Sequence, residues 1–153
     1  MSAPTPYLYF PGTTRDALEY YAEVFGGTLE LHTREEMGRK DGPGDAIGHG
    51  VLRGPVDLYA SDVSGEQEPL AIAGLQLALL GVAEPTTLRS WFARLAADGE
   101  VIDELSRRPW GASDGQVRDR FGLTWLIGYE HGEAGDLAPA VTFDTRTEPP
   151  SAE

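Results

Sequence analysis

Aromatic side chains and one acid recur at every second position of two short apolar stretches. Tyr7 and Tyr9 stand in "YLYF", and Asp57, Tyr59 and Ser61 in "VDLYAS". In an extended strand a period of two turns each set to one side. A face of this kind stacks a flat or cationic ligand, with Asp57 adding attraction for a cation. His49 alternates with Ile47 and Val51 along a third apolar stretch. That makes it a candidate general base or hydrogen-bond donor to a ligand; the alternative is a half-buried strand histidine bonded to a neighbouring carboxylate. The run "RPWGASDGQVRDRFGLTW" from Arg108 to Trp125 adds two tryptophans. Trp110 is open between a ligand contact and a core anchor, and Trp125 is assigned to the core. Asp119 and Arg120 flank a turn at Gly122 and read as turn-pairing charges.

Other chemistries lack their residues. The chain has no cysteine, which excludes disulfides, thiolate catalysis and cysteine metal sites. His32, His49 and His131 are far apart and form neither HxH nor HExxH; His32 and His131 read as surface residues. There is no GxSxG elbow, phosphate-cradling loop with lysine or dinucleotide fingerprint, and "GPG" at Gly42 to Gly44 is a turn. Glu35 and Glu36 read as a solvated charge pair.

At 153 residues, 41% hydrophobic and 24% charged, the chain suits one well-cored domain. Its 25 acids against 12 bases give a net charge of −13, which repels phosphate backbones and anionic lipid headgroups. Neither nucleic acid nor membrane is an expected partner. The start "MSAPTPYLYFPG" lacks a basic region followed by a long apolar run, and the stretch Leu70 to Ala83 is broken by Gly74, Gln76 and Gly81. The expected location is the cytoplasm.

These residues need elements to hold them. Thr13 with Asp16 reads as a helix-capping pair, Leu18, Tyr21 and Phe25 recur at helical spacing, and Gly26-Gly27 ends the run. A second helix opens at Pro85, carries Leu88, Phe92 and Leu95 on one side and closes at Gly99. "YYAEVFGGTLEL" (Tyr20 to Leu31) aligns with "WFARLAADGEVIDEL" (Trp91 to Leu105) after one insertion before the shared glycine. A strand precedes each helix, Tyr7 to Phe10 and Leu75 to Leu80. Three follow each: Thr28 to Thr33, Ala46 to Arg53 and Val56 to Ser61, then Glu100 to Leu105, Gln116 to Arg120 and Thr124 to Tyr129. The pattern is an α+β chain of two tandem βαβββ modules, 1–65 and 70–132, within one domain spanning 1–132. "SGEQEP" is the linker. Each module covers one sheet face with its helix and leaves the other open, so pairing of two copies is expected to leave a cupped mixed sheet with helices outside. The tail 133–153 reads as partly flexible, with a possible edge strand in "PAVTFDT".

Three stretches, "YLYFPGTTRDALEYYAEVFGG", "GHGVLRGPVDLYASD" and "WGASDGQVRDRFGLTW", resemble the PhnB-like branch of the vicinal oxygen chelate superfamily, the glyoxalase/bleomycin-resistance/dioxygenase-like proteins, over residues 5 to 130. The resemblance implies a small-molecule site in the cup and usually a homodimer. It also implies a histidine in the segment of His49, and a loop bearing Trp110 that folds over the cavity mouth. Metal-dependent members take His and Glu ligands from strand positions that fall here near Tyr7, Asp57, Gln76 and Leu126; of these only Asp57 is an ordinary ligand for a divalent cation. The expectation is therefore a binding protein without the metal, using Tyr7, Tyr9, Asp57, Tyr59, Gln76 and Trp110. The alternative is a lyase, isomerase or dioxygenase acting on vicinal oxygens with a divalent metal such as Zn, Ni, Mn or Fe. The ubiquinone-pathway methyltransferase label attached to some relatives finds no methyl-donor site in this chain.

Overall fold

A computed structural model describes residues 4–64, 68–71 and 73–131. The chain divides into two compact units, Met1–Ala71 and Ile72–Glu153. In the first unit the order is β1 (Tyr7–Phe10), α1 (Thr14–Phe25), β2 (Thr28–Thr33), β3 (Ile47–Arg53) and β4 (Leu58–Asp62). These strands form one mixed sheet in the order β1-β4-β3-β2, with β1 parallel to β4 and the other pairs antiparallel. The helix shields one face. Ala17, Leu18, Tyr21, Val24 and Phe25 are buried on α1, and Leu8, Phe10, Leu52, Leu58 and Ala60 are buried on the strands. Each large side chain so placed contributes about 1.5–3 kcal/mol. Gly50 lets α1 approach, since a Cβ there would lie 2.5 Å from Leu18 Cδ1.

The expected Thr13–Asp16 cap does not form, because the Thr13 side chain makes no capping hydrogen bond. Asp62, at the end of β4, takes over: its Oδ1 accepts the Thr14 N–H at 3.0 Å and its Oδ2 accepts the Ile47 N–H at 2.8 Å. The buried carboxylate of Asp62 thus ties the helix start to β3, a long-range pairing that local spacing cannot announce. The backbone carbonyls of Asp62 and Val63 in turn accept bonds from Arg34 Nη2 at 2.8 and 2.7 Å. Strand β4 starts at Leu58 rather than Val56, which leaves Asp57 in the preceding turn.

The second unit repeats the order with β5 (Leu77–Leu80), α2 (Pro85–Ala97), β6 (Glu100–Arg107), β7 (Ala112–Arg118) and β8 (Thr124–Glu130). Its sheet order is β5-β8-β7-β6, with β5 parallel to β8. The two-module βαβββ reading of the sequence is what the chain folds into. Some strand bounds differ from the expected ones. Strand β5 opens at Leu77, so Gln76 precedes it, and β7 runs from Ala112 to Arg118 rather than from Gln116 to Arg120. "ASDG" looks like a loop, but Ala112 and Ser113 pair in register with Glu130 and Tyr129, and ladder bonds outweigh low strand propensity. The strand stops before Asp119, whose Oδ1 accepts the Phe121 and Leu123 N–H groups while its Oδ2 accepts Trp125 Nε1–H. The "PAVTFDT" strand and linker residues 65–67 lie outside the described residues.

Candidate functional site

The face of the first sheet turned away from α1 carries the aromatic cluster. Register explains it: in parallel β1 and β4, Tyr7 pairs with Tyr59 and Tyr9 with Ser61, while antiparallel β3 sets Val51 beside Tyr59. His49, two residues before Val51, therefore shares their side. Ring centroids lie 5.4 Å apart for Tyr7–Tyr9, 5.7 Å for Tyr7–His49, 6.2 Å for Tyr7–Tyr59 and 5.9 Å for His49–Tyr59. The Tyr7 and His49 rings are within 26° of parallel. Aromatic pairs at such spacing contribute about 0.5–1.5 kcal/mol each beyond their buried area.

A hydrogen bond of 3.0 Å joins the Tyr7 hydroxyl to His49 Nδ1. In the tautomer with its proton on Nε2, the Tyr7 O–H donates to Nδ1 and leaves Nε2–H as a donor for a ligand. The bonding partner is thus a phenol and not the carboxylate of the alternative reading. Tyr7 is 40% exposed, and Tyr9, His49 and Tyr59 are half-buried. The hydroxyls of Tyr9 and Tyr59 have no hydrogen-bond partner among the described residues. The rings thus offer both π-faces and polar edges.

Arg53, not among the residues that the sequence singled out, continues the His49–Val51 alternation to the end of β3. Its guanidinium carbon stands 5.7 Å from the Tyr59 ring centroid, an arrangement that stabilises the cation.

The remaining candidates have surroundings of their own. Asp57 is exposed, and its Oδ1 accepts the Gly54 N–H at 3.0 Å, bracing the β3–β4 turn. Gln76 and Trp110 belong to the second unit and are both exposed. Trp110, at 39% exposure, sits in a turn closed by a bond from Gly111 N–H to the Arg108 carbonyl. Arg108 braces that turn through ion pairs to Asp114 at 2.9 Å and Asp103 at 2.7 Å. Trp125 is 1% exposed, as a core residue should be.

Of the other histidines, His32 is exposed and pairs with His49 in the β2–β3 register. His131 departs from the surface reading. It is half-buried, its Nε2 lies 2.6 Å from the buried Ser113 Oγ, and its ring meets Tyr129 edge-on. Glu36 is not merely solvated either, since its Oε2 accepts the Thr33 N–H and its own N–H is bonded to Thr33 Oγ1.

The family metal does not suit these residues. No group of three or more His, Asp or Glu side chains that could hold an ion occurs among the described residues. At the four positions implied by the resemblance, Tyr7 is bonded to His49, Asp57 braces a turn, Gln76 is exposed ahead of β5, and Leu126 has no donor atom. A separate cavity of about 340 Å3 opens beside Gly12, Arg15, Asp16, Asp45 and Asp62, and none of the four clustered rings lines it.

Comparison with known proteins agrees with the folded chain. YjdN of Escherichia coli (strain K12) is 27% identical over 137 residues, covering 80% of this chain and 92% of YjdN. The crystal structure of protein PA1353 from Pseudomonas aeruginosa is 32% identical, with a TM-score of 0.71 over 86% of this chain and all of that one. The PhnB protein from Bacillus cereus is 16% identical and shares the fold, with a TM-score of 0.65 over 84% of this chain and 99% of its own. The model of one family matches residues 5–127, and on that evidence the chain belongs to the Glyoxalase/Bleomycin resistance protein/Dioxygenase superfamily.

Proposed function

We propose that this protein binds a small, flat molecule, aromatic or cationic, on the ring-bearing face of its first sheet, and that no metal takes part. One observation carries the reading: Tyr7, Tyr9, His49 and Tyr59 come from three strands to lie within 6.2 Å of a neighbouring ring on the side that α1 leaves uncovered. Rings gathered merely to fill a core would be buried, whereas Tyr7 keeps 40% of its surface. A ligand lying on Tyr7 and Tyr59 gains stacking, and the free hydroxyls and His49 Nε2 fix its orientation. At about 0.3 kcal/mol per heavy atom, a ligand of roughly 12 atoms binds in the millimolar range, and better complementarity is needed for micromolar affinity.

Amide and aromatic resonances of Tyr7, Tyr59 and residues 49–53 report directly on this face. Titration with neutral, cationic and anionic bicyclic aromatics is expected to shift them saturably, and Tyr59→Leu to weaken binding about tenfold. Flat titrations across all three classes would remove the proposal.

A further inference from the structure

We propose that the ligand of this face is an aromatic carboxylate, with its ring over Tyr59 and its carboxylate on Arg53. The inference rests on the binding role proposed above and selects the aromatic branch of it. Arg53 lies within 5.7 Å of the Tyr59 ring centroid and is exposed, and no carboxylate stands within ion-pair distance of it among the described residues. The acid that strand alternation set beside Tyr59 is Asp57, and its Oδ1 is bonded to the Gly54 N–H. Glu30, opposite Val51 in the β2–β3 register, faces the same side without forming an ion pair to Arg53.

A cation approaching Tyr59 must therefore compete with a cation already there. An anion meets the opposite situation. A guanidinium binds a carboxylate through two parallel N–H donors in one plane, which suits a carboxylate attached to a flat ring. The unpartnered hydroxyl of Tyr59, the ring that Arg53 covers, adds a neutral O–H donor. The net charge of −13 opposes any anion from a distance, but that field is screened beyond about 8–10 Å in physiological salt while a contact pair is not.

The test uses three probes with one ring system, 2-naphthoate, 2-naphthamide and 2-naphthylmethylammonium, titrated calorimetrically into the full chain with the Tyr59 and Arg53 resonances followed in parallel. Naphthoate is expected to bind about tenfold more tightly than naphthamide, and the ammonium most weakly. Arg53→Gln is expected to bring naphthoate to within about twofold of naphthamide, and Arg53→Lys to keep only part of the difference. Arg53 is exposed, so these variants should fold. A preference for the ammonium, or a naphthoate advantage that survives Arg53→Gln, would overturn the carboxylate assignment and leave a binding face of another specificity. Absence of saturable shifts with all three probes would overturn the binding role as well.

Discussion

Two buried carboxylates show how single residues set this architecture. Asp119 is 4% exposed and accepts three N–H groups within one turn, from Phe121, Leu123 and the Trp125 indole. Asp119→Ala would leave all three without that acceptor, and the expected loss is about 3 kcal/mol in urea unfolding, since a bond to a charged group contributes about 1.5–3 kcal/mol and water recovers part of it. Asp62 accepts from Thr14 and Ile47, and Asp62→Asn sets an amide against one of those donors. A loss of about 2 kcal/mol is expected by the same measurement. The exposed Asp41 shows the opposite case. Its carboxyl is held at about 2, first by the hydrogen bond from Arg39 and further by the nearby Arg39 charge. A carboxyl lowered in the folded state stabilises above its unfolded value of 3.8, and that contribution is lost as pH falls towards 2. Carbonyl-carbon NMR titration should give Asp41 a midpoint near 2 that returns towards the ordinary carboxylate range in Arg39→Gln.

At the level of elements, Gly50 and Gly115 both permit close approaches but to different kinds of neighbour. A Cβ at Gly50 would press on Leu18 Cδ1, the mobile end of a side chain, whereas at Gly115 it would lie 2.6 Å from the Leu105 backbone nitrogen. A side-chain end turns aside more readily than a strand backbone. Gly115→Ala is expected to cost about 3 kcal/mol and Gly50→Ala about 1 kcal/mol, read as shifts in thermal unfolding midpoint. The β6–β7 ladder carries register irregularities between Val101 and Asp103 and between Asp103 and Ser106, close to that contact. Most elements could be read from the chain because helix stripes such as Leu88, Phe92 and Leu95 depend only on local periodicity. The strand "ASDG" could not, since its pairing partner lies in residues 127–130.

For the whole molecule, duplication of one βαβββ unit is the main organising fact, and family membership follows from it together with the matched motifs. No described helix is long and apolar enough to cross a membrane. A homodimer remains our expectation from the resemblance. Native mass spectrometry at micromolar concentration should give twice the 16.5 kDa chain mass, and a monomer across that range would remove it.

The sequence by itself determined the element order, the repeat, and the alternation within each strand that sets Tyr7 with Tyr9 and His49 with Val51, because alternation and helical spacing are properties of neighbours along the chain. It also placed Arg53 in phase with His49, but nothing local marked that arginine as belonging with Tyr59. Only the tertiary structure decided this, along with the cap from Asp62 and the assignment of Asp57 to a turn. Each depends on strand register across a sheet, where a shift of one residue reverses every side chain.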